Sequence, residues 1–336
     1  MSGPQVTVVV PTLAADAALE ECLKSLASQT YRDFEVVVVD NSGEGRSRAA
    51  AAAAGVRLIA NRSNEGFGAA VNRGWSTSGA PLVAVLNDDT VAHPDWLGRL
   101  VEAIERRPDA GMCAPQIRLA RTDLLDSAGM LVAADGSSKQ RGHGRPAREF
   151  DREEEVLCPS ACAALYRRAM IEQIGGFDED FFLYSEDTDL GLRARWAGWK
   201  CLYVPQAIVE HRYSHTSGRA SPLKAYLVER NRLYVVAKNF PPRLLLRALA
   251  AAPVRYGWHV VSLLRGQGAA AAYRAEGHAA WRLVWFVLRA HACAALRAPS
   301  LWRKRCAVRR AARIPAREFA QLLANHAISL REVAAL

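Results

Sequence analysis

Val6–Val10 is an unbroken β-branched run that stops at Pro11-Thr12, and beyond it the apolar positions change period. Leu19, Cys22, Leu23 and Leu26 recur at three- and four-residue steps, which predicts a helix over 15–28. Phe34–Asp40 and Val56–Ile59 return to strand character, Gly66–Ser78 reads as a helix and Leu82–Leu86 as a strand. Pro94–Arg106 is a further helix with a proline near its first turn. Val-rich strands alternating with helices predict an α/β fold whose mostly parallel sheet is covered on both faces. Residues 120–155 are polar, glycine-rich and aperiodic, and read as a mobile inserted loop. Ser160–Leu165 is strand-like, and Arg167–Ile174 is a short helix before Gly175-Gly176. Another helix is expected from an N-cap at Ser185 to Gly198.

In such sheets ligands bind beyond the carboxyl ends of the strands. Pro11-Thr12, Asp40-Asn41 and Asn87-Asp88-Asp89 all fall at that edge. Adjacent carboxylates repel unless a cation or a set of amide donors faces them, so Asp88-Asp89 points to a bound cation. The glycine-rich helix entrance "NRSNEGFGAAVNRG" lacks the third glycine of a dinucleotide fingerprint, yet Gly66 would let backbone approach a flat base. A second acidic group, Asp178 to Asp189, surrounds the aromatic run Phe181-Phe182-Leu183-Tyr184. A carboxylate beside such rings has raised proton affinity and suits a general base. His211 follows a strand-like run and could complete a metal site, and mixed oxygen and nitrogen ligands suit Mn²⁺ better than Mg²⁺.

The segments "VTVVVPTLAADAALEECLKSLASQTYRDFEVVVVDNS", "NEGFGAAVNRG", "VLNDDT", "GGFDEDFFLYSEDTDLGLRARWAGWKCLYVP" and "ERNRLYVVAKNFP" resemble, in order, those of inverting family 2 glycosyltransferases with the GT-A fold. The likeness is to the bacterial rhamnosyltransferase-like branch and spans roughly residues 5 to 240. It implies a metal-dependent hexosyltransferase that uses a nucleoside-diphosphate-sugar, with a glycan or polyprenyl-linked acceptor, in cell-envelope polysaccharide synthesis. Pro11, Thr12, Asp40 and Asn64 would line the nucleotide pocket, and Asp40 would accept hydrogen bonds from base or ribose. Asp89 and His211 would hold Mn²⁺ or Mg²⁺, and Asp88 would face sugar or ribose. Asn87 stands where a strict DxD motif has its first acid. Asp187 would be the catalytic base and Glu186 would orient base or acceptor.

The 336 residues are half hydrophobic and 23% charged, a globular composition. The implied catalytic domain, 1–240, has 28 Lys+Arg against 31 Asp+Glu, whereas 241–336 has 16 against 3. The net charge of +10 therefore belongs to the segment beyond Pro241-Pro242. There, Trp281, Val284, Trp285 and Leu288 share a helical face away from Arg282 and Arg289, a basic amphipathic pattern suited to an anionic membrane surface. Arg282 and Arg289 interrupt the stretch too often for a membrane span. The seven scattered cysteines and the lack of a leader-like start predict a reducing, cytoplasmic location, peripheral to the membrane. Cys158, Cys162, His211 and His215 can be combined on paper into a zinc site, but CxxxC on a strand lacks the usual tight knuckle. The rival reading is a catalytically inactive binding protein whose basic tail holds an acidic polymer. Nucleic acid is a poor partner, since no interleaved aromatic and basic motif is present.

Overall fold

A computed structural model of the chain describes residues 3–13, 16–212 and 221–336. Its first third alternates as the apolar pattern requires: β1 (Val6–Thr12), α1 (Ala17–Ala27), β2 (Phe34–Asp40), α2 (Arg48–Ala54), β3 (Arg57–Ala60), α3 (Phe67–Ser76), β4 (Leu82–Leu86), β5 (Thr90–Ala92) and α4 (Trp96–Arg106). There follow β6 (Ala110–Leu119), β7 (Leu125–Ser127), β8 (Met130–Ala133), β9 (Ser138–Gln140), β10 (Glu154–Val156), β11 (Ala163–Arg167), α5 (Arg168–Ile174), α6 (Glu186–Trp196) and β12 (Lys200–His211). The main sheet runs β10-β12-β6-β11-β4-β1-β2-β3, with β5 on β12 and β7 on β6. The block β4-β1-β2-β3 is parallel throughout, β6 and β12 are parallel, and β11 lies antiparallel between the two blocks. Successive β1 valines point to opposite faces. Val8 and Val10 pack with Leu19, Leu23 and Leu100 of α1 and α4, while Val9 packs with Ala70 and Val71 of α3. Burying each such side chain contributes about 1.5–3 kcal/mol, which anchors the strand ends that carry the polar residues.

The segment 120–155 corrects the sequence reading. It is not a loose loop, because β7 joins the main sheet and β8, β9 and β13 (Ala327–Ile328) form a small sheet of their own. Leu125, Met130 and Val132 are buried against the core. β7, β8 and β9 are only three or four residues long, too short for alternation to register. Ser185 also departs from expectation: it sits in the left-handed region (φ 64°) and its side chain caps nothing. The long strand β6 escaped notice because Gly111 and Pro115 interrupt it. Its register with β12 shifts between Val204 and Ile208, a stretch that contains Pro205.

The remaining elements are helical: α7 (Pro222–Asn239), α8 (Pro242–Leu264), α9 (Gly268–Ala275), α10 (Trp281–Leu296), α11 (Ala298–Ala311), α12 (Ala316–Asn325) and α13 (Leu330–Ala335). They close back on the sheet-bearing half. Trp196 of α6 stacks on Phe319 with ring centroids 4.0 Å apart, Arg309 lies 3.7 Å above the Trp196 ring, and Lys304 bridges Asp178 and Asp180. The apolar stripe of α10 is left uncovered, with Trp281 70% and Val284 63% exposed. No helix among the described residues is long and apolar enough to cross a membrane.

Candidate functional site

The carboxyl edge of the parallel block opens into a cavity of about 1190 Å³, walled by Pro11, Thr12, Asn41, Asn64, Gly66, Asn87, Asp88, Asp89, Glu186, Asp187 and His211, among others. Asp40 is set apart from that wall. Its Oδ1 accepts from Ser42 N and its Oδ2 from Ser47 N and Oγ, so both oxygens serve the β2–α2 loop. Burial favours its neutral form, but these donors outweigh burial and hold the carboxyl below its usual range. Asn41, next in sequence, takes the cavity wall and donates to Asn64 Oδ1 and Gly66 O, both at 3.1 Å.

Sheet register brings the first acidic cluster to its partner. Thr90 pairs with His211 across β5 and β12, and Arg212 N donates to Asp89 O, so Asp89 Oδ1 lies 3.3 Å from His211 Nε2. The other imidazole nitrogen, Nδ1, lies 2.8 Å from Asp126 Oδ2, and Asp126 also meets His143 Nδ1 at 3.1 Å. Burial disfavours a charged His211, yet Cys162, Asp126 and Asp89 outweigh it and keep its pKa well above the usual value. Asp88 faces Thr12, whose hydroxyl donates to Oδ2 at 2.6 Å. Burial, reinforced by Asp89, lifts Asp88 to about 6.

Asp89 and His211 fit a divalent cation. Asp89 Oδ1 is buried without a hydrogen-bond partner, and Asn87 Oδ1 beside it is likewise unsatisfied. The Asp126 contact fixes which imidazole nitrogen faces Asp89, an arrangement common behind metal-bound histidines. Asp126 lies in the segment read as a loop, and a lone Asp between Leu125 and Ser127 gives no sequence signal. Asp126, Cys162 and His211 do bring ligand-type atoms within 4.8 Å of one another. The Cys162 thiol is pushed up to about 11 by burial and stays protonated, which makes it a weak ligand. Cys158 and Cys162 belong to different core clusters, so the four-residue zinc arrangement does not assemble; His215 lies outside the described residues.

The second acidic group divides in two. Asp178, Asp180 and Asp189 are tied up by Lys238, Lys304 and Arg193. Glu186 and Asp187 instead face the cavity from the first turn of α6. Asp187 accepts from Thr188 N at 2.6 Å, Thr188 Oγ1 at 3.2 Å and Ala161 N at 3.3 Å. Burial raises its proton affinity and these donors counter it. Glu186 is 6% exposed, its Oε2 has no partner, and burial together with the Asp187 charge lifts it to about 8. At neutral pH Glu186 therefore holds the proton and Asp187 the charge.

The backbone ahead of this pair is strained, with positive φ at Phe182 (64°), Tyr184 (71°) and Ser185 (64°). Asn231 of α7 clamps it: Nδ2 donates to the carbonyls of Phe181, Leu183 and Tyr184 at 3.0, 2.8 and 2.6 Å. Arg230 adds bonds to Asp180 O and Phe181 O. Gly66, at the start of α3, meets the same loop. It has φ 89°, a Cβ there would lie 2.4 Å from Phe182 O, and Phe67 N donates to that oxygen. Gly66 thus admits the acid-bearing loop rather than a flat base.

Comparisons with known proteins agree with this geometry. An N-acetylglucosaminyl-diphospho-decaprenol L-rhamnosyltransferase of Mycobacterium tuberculosis is 35% identical over 246 residues, covering 65% of this chain and 80% of its own length. A glucosyl-dolichyl phosphate glucuronosyltransferase of Haloferax volcanii is 26% identical over 226 residues, covering 62% and 69%. A mannosyltransferase from Pyrobaculum calidifontis, solved with GDP-Man and Mn²⁺, superposes with TM-score 0.54 at 17% identity, over 100% of this chain and 87% of its own. That likeness speaks to the fold, and it agrees with the mixed sheet and helical C-terminal region described above. Residues 7–175, which hold β1 to β4, the Asp88-Asp89 pair and Asp126, match the family described as Glycosyl transferase family 2. With that match and the mycobacterial relative, the chain belongs to glycosyl transferase family 2.

Proposed function

We propose that this glycosyltransferase moves a sugar, with inversion, from a nucleoside-diphosphate-sugar to a hydroxyl of a polyprenyl-linked glycan at a membrane surface. Rhamnose, the sugar named for the mycobacterial relative, is the first candidate. The observation that carries the reading is one cavity whose wall holds Asp187, its neighbour Glu186, lifted to about 8 by burial and the Asp187 charge, and the Asp89–His211 pair.

Asp187 takes the proton from the acceptor hydroxyl as that oxygen attacks the anomeric carbon. The bond from that carbon to the diphosphate oxygen breaks on the opposite face, and the proton remains on Asp187. Glu186, neutral, adds no second charge beside the base. Asp89 and His211 would hold a divalent cation, Mn²⁺ by the mixed ligand set, which would supply positive charge to the diphosphate leaving group. Pro11, Thr12, Asn41, Asn64 and Asn87 line the donor side, and Asp88 faces the sugar or ribose. The 1–240 unit carries the chemistry, and the 241–336 helices turn the exposed Trp281 and Trp285 stripe toward the membrane.

The inactive-binder alternative has little to stand on. Its basic tail is partly engaged within the molecule, Lys304 on Asp178 and Asp180 and Arg255 on Glu229 and Asp135. The test is hydrolysis of a panel of UDP-, dTDP- and GDP-sugars with Mn²⁺ or Mg²⁺. Turnover of one donor, stopped by EDTA and by Asp89→Ala, supports the reading. No turnover and no calorimetric nucleotide binding would overturn it.

A further inference from the structure

We propose that the cavity continues past Asp187 into an acceptor-lipid subsite, in which Lys139 and Lys224 hold the diphosphate and the groove between α7, α8 and α10 takes the polyprenyl chain. This rests on the transferase reading above and adds a location for the lipid part of the acceptor. The catalytic carboxylates and the groove share one cavity wall: from Asp187 it runs past Tyr184 and the two lysines to Leu223, Val228, Val260 and Val284. Those four side chains are 42% to 63% exposed, an apolar lining open to solvent.

Charge complementarity selects the occupant. Arg232 and Arg255 are matched by two acids, Glu229 and Asp135. Lys139, on β9, has neither ion pair nor hydrogen bond among the described residues, and Lys224 stands 5.7 Å over the Tyr184 ring. Burial and the nearby cations Lys224 and Arg255 push Lys139 down to about 8, so it gains from a bound anion. A diphosphate diester is anionic, and Lys139, with Lys224 beside it on the same wall, offers it positive charge. A polyprenyl-diphosphate glycan would then lie with its hydroxyl at Asp187, its diphosphate at the lysines and its chain along the apolar lining.

The test needs no donor turnover. Binding of geranylgeranyl diphosphate, geranylgeraniol and inorganic diphosphate to the full chain is followed by tryptophan fluorescence, since Trp281 lines the cavity. The lipid diphosphate should bind at least about tenfold tighter than either fragment. Lys139→Ala with Lys224→Ala should bring its affinity down to that of the alcohol, and Lys139→Arg should retain it. Val284→Asp should bring it toward that of inorganic diphosphate. Nucleoside-diphosphate affinity of each variant reports whether the donor pocket is still folded. Equal affinity for the lipid diphosphate and inorganic diphosphate overturns the subsite, as does wild-type binding by both the double-lysine and Val284 variants. Binding that appears only with phosphatidylglycerol vesicles also overturns it, because the protein alone would then offer the chain no groove. A donor panel with neither turnover nor nucleotide binding, alongside intact lipid-diphosphate binding, would instead sink the transferase reading.

Discussion

Asn231→Ala removes the clamp on the strained loop, and the structure sets the size of the effect. The wild-type amide donates to three carbonyls of a segment whose Phe182, Tyr184 and Ser185 all have positive φ. Phe181 O keeps Arg230 as a donor, so the loss falls on Leu183 O and Tyr184 O. Depriving a buried acceptor of its donor costs about 1–3 kcal/mol, which puts the two together at about 2–6 kcal/mol. The strain held there, about 1–3 kcal/mol at each such residue, gives the loop reason to relax once released. Asp187 follows Ser185 by two residues, and a base displaced by about 1 Å loses about a hundredfold in rate. The expected result is kcat for sugar transfer down about a hundredfold, nucleotide affinity by calorimetry within about twofold, and a lowered unfolding midpoint. Wild-type kcat, or kcat lost only in step with nucleotide affinity, would refute the reasoning.

Glu186→Gln tests the shared proton. Because the folded pKa of Glu186, about 8, lies above the ordinary 4.5, the folded state holds a proton the unfolded state has released between those values. Its stabilising contribution is complete below about pH 4.5 and declines as pH rises to about 8. The variant should therefore unfold at higher temperature than wild type at pH 9 and at a similar temperature at pH 5; equal differences at both would contradict the assignment. Asp126→Asn weakens the hold on His211 and should lower Mn²⁺ affinity about 10–100-fold in calorimetry with nucleoside diphosphate present. Unchanged Mn²⁺ affinity would remove Asp126 from the metal site.

The half of the site at the parallel strand ends was legible because those ends announce themselves. Val-rich runs stop at Pro11-Thr12, Asp40-Asn41 and Asn87-Asp88-Asp89, and a parallel sheet gathers those ends on one edge. The same logic could not say which way Asp40 turns, since that depends on Ser42 and Ser47 donating to it. Likewise Asp189 and Asp187 look alike in sequence, two residues apart at the start of one helix. They differ because one side of α6 meets Lys238 and the other meets the cavity. Asp126 was invisible because it reaches His211 across 85 residues from a strand of three. The apolar stripe of α10 was readable from spacing, but its continuity with the catalytic cavity was not, since that requires α7 and α8 to be placed beside it.

The central claim, that Asp187 is the base, is tested most directly by Asp187→Asn. Its side chain can still accept through one oxygen from Thr188 and leaves the Asp89–His211 pair untouched. With the donor found in the panel and a polyprenyl-linked acceptor, transfer should fall at least about a thousandfold. Nucleotide and Mn²⁺ affinities, measured by calorimetry on the same protein, should stay within about twofold of wild type. Transfer retained at the wild-type rate would contradict the account, and transfer lost together with both affinities would make Asp187 a structural residue.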